Sequence, residues 1–144
     1  MDTELRNIAL VCRQNDERVA EPMRVLANYL TKAGIKVTAA EALTLDLPVT
    51  RVAEEQLCDD ADLVIAIGGD GTMLYASRLA RIRGTPILGV NRGRLGFLAD
   101  ITPDEMIASV EQVLAGKYIK DSRLLLKARL STAAGVEVVE YGLN

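Results

Sequence analysis

Gly68-Gly69-Asp70-Gly71-Thr72 sets a carboxylate inside a glycine-rich stretch. Glycines let a backbone approach a bulky anion and accept positive φ. Where such a stretch leads from a strand into a helix, the free N–H groups at the helix N-terminus attract phosphate. A carboxylate repels phosphate, so Asp70 needs a task in that setting. Two fit: taking a proton from an attacking hydroxyl, or holding a bridging Mg²⁺. The competing reading is a tight turn without a ligand. The flanks favour phosphate, because an apolar β-branched run (Asp62 to Ile67) precedes the stretch and a helix-forming run (Met73 to Arg83) follows it. The pattern is not a Walker A loop, since no Gly-Lys-Ser/Thr is present. Nor is it a full dinucleotide fingerprint, since Leu74 stands where the third glycine would be.

Charge supports an anionic ligand. No acidic residue lies between Asp70 and Asp100, whereas Arg78, Arg81, Arg83, Arg92 and Arg94 do, in a chain of net charge −3. Arg92 and Arg94 fall in a glycine loop and are candidates for phosphate contact. Arg78, Arg81 and Arg83 read equally well as a solvated helix face. The acidic group Asp59, Asp60 and Asp62 reads as a solvated strand entry in preference to a metal site. The chain has no histidine. That removes imidazole catalysis and argues against a zinc site built by the protein; no metal ligand from the protein is expected.

The elements that position these residues follow from the apolar pattern. Asn7 to Cys12 reads as a buried strand, and Arg13 to Asp16 is a polar connection at its C-terminal end, where open α/β sheets collect ligands. A helix runs from Val19 to Ala33, packing through Met23, Leu26, Ala27 and Leu30 and stopped by Gly34. Ile35 to Ala39 is the second strand of a right-handed βαβ unit. Residues 40–52 read as an irregular connection and Ala53 to Leu57 as a short helical turn. Asp62 to Ile67 is a strand buried on both faces. Its helix, from Met73, carries Leu74, Leu79 and Ile82 on or near one side. Thr85 to Val90 is the fourth strand, so Asn91 to Leu98 should emerge beside the glycine stretch. Thr102-Pro103-Asp104-Glu105 is a capping box that opens a helix to about Ala115, closed by Gly116. Leu124 to Leu130 and Val136 to Tyr141 form an antiparallel hairpin around a turn at 131–135.

The expected fold is therefore α/β: a mostly parallel sheet flanked by helices, with a C-terminal antiparallel hairpin. Residues 1–117 read as the α/β nucleotide-binding domain. Residues 118–144 read as the start of a second, β-rich domain that the chain holds incompletely. A chain of 144 residues with 49% hydrophobic content supports one sizeable core. Aromatics at 3% and no Trp argue against base-stacking nucleic-acid modules, and the negative charge argues against nucleic acid or a membrane surface as partner. Cys12 and Cys58 lack metal-like spacing, and as free thiols they fit a reducing cytoplasm.

Gly68 to Thr72 resembles the GGDGT signature shared by NAD kinases, diacylglycerol-type lipid kinases and 6-phosphofructokinases. Asn91-Arg92-Gly93-Arg94-Leu95-Gly96-Phe97-Leu98 resembles the NxGxLGFL block of NAD kinases and selects among them. The resemblance in layout extends from the first strand to Asn144, where Gly142-Leu143-Asn144 looks like the approach to the family's Asn-acid pair. A later GSTAY-like block has no counterpart here. The resemblance implies an α/β domain joined to a β domain in a cytoplasmic homo-oligomer. The implied reaction moves the γ-phosphoryl group of ATP, delivered with Mg²⁺, to the adenosine ribose 2′-hydroxyl of NAD, giving NADP. Asp70 becomes the base and Gly68, Gly69, Gly71 and Thr72 line the phosphate loop. Leu74 and Phe97 would touch the adenosine, although spacing alone makes Phe97 a core residue. Asn144 would hydrogen-bond the dinucleotide. The alternatives are a lipid or sugar-phosphate kinase of the same signature, or a nucleotide-binding module without catalysis. The chain alone is expected to fold but not to turn over.

Overall fold

The computed structural model describes residues 4–13, 17–92, 101–120, 125–131, 133, 135 and 137–143. Its centre is a five-stranded sheet of β1 (Asn7–Val11), β2 (Lys36–Ala40), β3 (Thr50–Val52), β4 (Leu63–Gly68) and β5 (Ile87–Asn91). The spatial order is β3-β2-β1-β4-β5, and every neighbouring pair is parallel. The connections are α1 (Glu17–Lys32), between β1 and β2, and α2 (Asp70–Ala80), between β4 and β5. A 3₁₀ turn at Pro103–Glu105 leads into α3 (Met106–Leu114). The expected mostly parallel sheet flanked by helices is the architecture observed.

β1 and β4 are central strands, so both of their faces must be covered. Ile8, Leu10, Leu63, Ile65 and Ile67 point to one face, against Val19, Met23, Leu26 and Leu30 of α1 and Met106 and Val110 of α3. Ala9, Val11, Val64 and Ala66 point to the other, against Met73, Ala76 and Ala80 of α2. A fully buried Leu or Ile contributes about 1.5–3 kcal/mol, so the first face supplies most of the hydrophobic stabilisation. The second face is built from short side chains, which let α2 pack close to the sheet and hold its N-terminus in place.

Three expectations change. Residues 40–52 are not wholly irregular: Thr50–Val52 pairs with β2 through Thr38↔Thr50, Ala39↔Arg51 and Ala40↔Val52. Three residues show no periodicity, and this strand exists because its partner's edge is there. Arg51 also donates from its guanidinium to the carbonyls of Leu43 and Leu45, which closes the preceding loop. Second, α2 begins at Asp70, ahead of the expected Met73. The N–H groups of Thr72 and Met73 both donate to Gly69 O, each at 3.1 Å, so the first turn forms across the glycine. Third, the expected helix from Pro103 opens as a 3₁₀ turn before α3. The Thr102 Oγ1 to Glu105 Oε1 bond of 2.7 Å ties that entry together.

Gly34 and Gly116 end α1 and α3 with φ of +81° and +79°, the left-handed conformation that side chains resist. β6 (Leu125–Ser131) and β7 (Glu137–Leu143) pair antiparallel, from Leu125↔Leu143 to Ser131↔Glu137, and β7 approaches α2. Among the described residues no helix is long and apolar enough to cross a membrane.

Candidate active site

The strand order reverses at β1 and β4. The chain leaves β1 toward β2 and β3, then returns to place β4 on the other side of β1. Ligands of open α/β sheets bind beyond the carboxyl ends of the strands at such a reversal. Arg13 follows the end of β1, Gly69 and Asp70 follow β4, and Arg92 follows β5. The last residue of β4, Gly68, pairs with the last residue of β5, Asn91, and Gly68 O accepts the Arg92 N–H at 3.2 Å. The two sequence blocks therefore emerge from adjacent strand ends on one side of the sheet.

The three glycines serve different ends, and none of them has the positive φ that glycine permits; positive φ among the described residues is confined to Gly34, Gly84, Gly116 and Gly135. At Gly68 a Cβ would stand 2.2 Å from Thr72 Oγ1 and 2.7 Å from Thr72 Cβ. Close packing of the Thr72 side chain under the strand-to-helix turn excludes any side chain there. Gly69 caps α2 in an extended conformation, φ −111° and ψ −162°, with open space where a Cβ would lie. At Gly71 a Cβ would stand 3.2 Å from Arg13 Nη1. Thus Gly68 admits Thr72, Gly71 lets the Arg13 guanidinium come close, and Gly69 leaves open space at the helix end.

Asp70 is the first residue of α2 and is half-buried. Its negative charge is favoured at the positive end of the helix. No side chain caps that end, and the N-terminus of a helix favours anions. Thr72 is buried, and its N–H is already bonded within the turn; the fold makes it a support beneath the loop. Leu74 is half-buried on α2 and Arg92 is half-buried at the end of β5. Arg94, Phe97 and Asn144 lie outside the described residues.

The sequence reading passed over Arg13 and Tyr75. Arg13 belonged to a connection noted for its place at a strand end, and that place was the signal available. Tyr75 donates its phenol hydrogen to Glu54 Oε1, joining α2 to the 3₁₀ turn Glu54–Gln56. Burial first, then the bond to Glu54 and its charge, push the Tyr75 phenol well above its ordinary value. Two other groups resolve to structural roles. Asp62 Oδ2 accepts the N–H groups of Arg6 and Asn7, both at 2.9 Å, which fixes the entry to β1. Asp59 Oδ1 lies 3.7 Å from Arg83 Nη2. Among the described residues no three acidic, Cys or His side chains cluster as metal ligands. Cys12 and Cys58 are both buried and unbridged, on opposite faces of the sheet. A shallow pocket near the starts of β1, β2 and β4, touching Asn7, Lys36 and Asp60, is at the wrong end of the sheet for this site.

The family described as ATP-NAD kinase N-terminal domain matches residues 8–118, and the chain belongs to that family. It is 44% identical over 142 residues to an NAD kinase of Hahella chejuensis, covering 96% of this chain and 47% of that protein. It is 40% identical over 133 residues to an NAD kinase of Paraburkholderia phytofirmans, covering 89% of this chain and 44% of the relative. The chain thus spans about half the length of the curated relatives it matches. The fold is similar to that of yeast NADH kinase solved in complex with NADH, with a TM-score of 0.80 and 19% identity over 96% of this chain and 47% of the yeast chain.

Proposed function

We propose that this chain supplies the phosphate loop and the catalytic base of an NAD kinase, which transfers the γ-phosphoryl group of ATP to the adenosine ribose 2′-hydroxyl of NAD. The observation that carries the proposal is Asp70, a carboxylate at the first position of α2, at the strand reversal, in a chain of this family. A ribose hydroxyl is a poor nucleophile at neutral pH; a carboxylate beside it accepts the proton as the new O–P bond forms and the bond from the γ-phosphorus to the bridging oxygen breaks, releasing ADP. The N–H groups of the first turn of α2 hold donor phosphate, and Arg92 adds positive charge from the end of β5. Gly68 and Thr72 interlock to fix that turn, and Gly69 keeps it open. Leu74, Phe97 and Asn144 keep the dinucleotide contacts that the family resemblance implies, and Arg94 a phosphate contact. Mg²⁺ arrives with ATP as part of the donor and neutralises phosphate charge.

Residues 118–144, with the β6–β7 hairpin, open a second β-rich domain in this reading, and the relatives' greater length supports it. A cytoplasmic homo-oligomer completes the reading, consistent with two unbridged cysteines. The test is to fuse residues 1–144 to the remaining half of the Hahella chejuensis relative and assay NADP formation from NAD, ATP and Mg²⁺. The fused chain should form NADP. The 1–144 chain alone should not, because holding acceptor and donor in line is worth about 7–11 kcal/mol and half a site forfeits it. A folded fusion that phosphorylates neither NAD nor NADH overturns the assignment. NADP formation by 1–144 alone overturns the two-part site.

A further inference from the structure

Arg13 and Gly71 lie far apart in the chain, yet the guanidinium of one fills the space beside the other: Arg13 Nη1 is 3.2 Å from the Cβ position of residue 71. An alanine at 71 would press on the guanidinium, which would have to give by a few tenths of an ångström. Arg13 is exposed, so its donors reach the solvent of the crevice at the loop. Its charge also reaches Tyr75, one turn further along α2. The approach at residue 71 places the guanidinium beside the first turn of the helix.

Electrostatics make this placement informative. The N-terminal end of a helix carries about half a positive charge and favours anions. A cation laid against that end is disfavoured on its own. Asp70 supplies one negative charge there and is needed as the base. A guanidinium and a helix N-terminus brought together from two strand ends leave room for more negative charge than one carboxylate provides. The planar fork of arginine also matches the non-bridging oxygens of a phosphate chain, which the point charge of lysine does not.

We propose that Arg13 binds the triphosphate of the donor nucleotide, forking onto its non-bridging oxygens above the first turn of α2, and that residue 71 is glycine to let the guanidinium lie there. The proposal rests on the kinase reading for the name of its ligand, and its chemistry is testable without it. Inorganic tripolyphosphate is the probe, titrated calorimetrically into the 1–144 chain. Arg13→Ala should weaken binding about 10- to 100-fold, the effect of losing a charged hydrogen-bond pair. Arg13→Lys should restore only part of it. Gly71→Ala should weaken binding in the parent chain and have little further effect in Arg13→Ala. Thermal unfolding without ligand should be unchanged by Arg13→Ala, since the side chain is exposed. In the fused chain the KM for ATP should rise by a similar factor while the KM for NAD stays within about twofold.

The outcomes separate the two readings. A folded fusion that makes no NADP, together with a tripolyphosphate site weakened by Arg13→Ala, sinks the kinase reading and leaves this one standing. NADP formation with unchanged tripolyphosphate binding in Arg13→Ala overturns the role of Arg13 and leaves the kinase reading. Absence of tripolyphosphate binding by the parent 1–144 chain also overturns it.

Discussion

The two ends of α2 both carry arginine, with opposite electrostatic meaning. At the C-terminal end Arg78, Arg81 and Arg83 are exposed, and Arg83 lies within 3.7 Å of Asp59. Cations there complement the negative end of the helix. At the N-terminal end Arg13, from the end of β1, lies beside Gly71, and Arg92 follows the neighbouring strand β5; a glycine cap and a half-buried carboxylate stand there too. One end is complemented by its own chain, whereas the other is where the proposed donor phosphate would sit. Eleven residues separate the two environments, about 16 Å at the rise of an α-helix. A charge count over the segment merges them, and only their position along the helix axis tells them apart.

The largest expected break in this contrast is at Asp70. In the fused chain Asp70→Asn should lower turnover about 10²- to 10⁴-fold, as loss of a general base does, with nucleotide binding largely retained. Near-normal turnover with NAD would refute the base assignment. Next come the glycines of the same loop. Gly68→Ala places a methyl 2.2 Å from Thr72 Oγ1 and should destabilise the chain by about 1–3 kcal/mol, the range for overpacking. Gly69→Ala meets open space and should cost much less. Urea unfolding of the two variants compares them directly, and equal losses would contradict the interlock of Gly68 with Thr72.

A smaller effect is expected halfway along the helix. Tyr75→Phe removes the bond to Glu54, worth about 1 kcal/mol. The folded phenol titrates above its ordinary value of 10.0, so its contribution is complete below pH 10 and is lost as the pH rises further. Unfolding measured across pH 8 to 11 should show the parent losing stability above pH 10 more steeply than the variant. The smallest effect is at the far end, where Arg81→Ala should leave NADP formation within about twofold, since surface charges so remote from a site are screened. A loss comparable with that of Arg13→Ala would erase the distinction between the two ends.

Much of the scaffold was legible because its signals are local. β1, β4 and α1 have apolar spacing that only a strand or helix of that length satisfies, and Gly34, Gly116 and Thr102 mark boundaries by their own backbone chemistry. β3 was not legible. Thr50–Val52 becomes a strand because the edge of β2 offers it hydrogen bonds, and no pattern in three residues announces a neighbour. The glycine stretch was read correctly as a strand-to-helix turn but for a partly wrong reason. Of the two uses expected of its glycines, positive φ is absent: Gly68 instead leaves room for the Thr72 side chain, and Gly71 lets the Arg13 guanidinium come close.

The sequence by itself determined the α/β class, the parallel order of strand and helix, and the family, since periodicity and two short motifs are properties of neighbouring residues. It also determined that Asp70 is the carboxylate to examine, because no other acidic residue stands among those glycines. Tertiary structure alone decided which arginines face the loop. Arg13 reaches Gly71 only because β1 lies beside β4 in the sheet, a consequence of the chain returning across β1 after β3. Arg78 and Arg81 are close to the motif in sequence but are carried away from it by the rise of the helix. The first of these placements is set by the packing that buries α2 against the sheet, and the second by the helix itself.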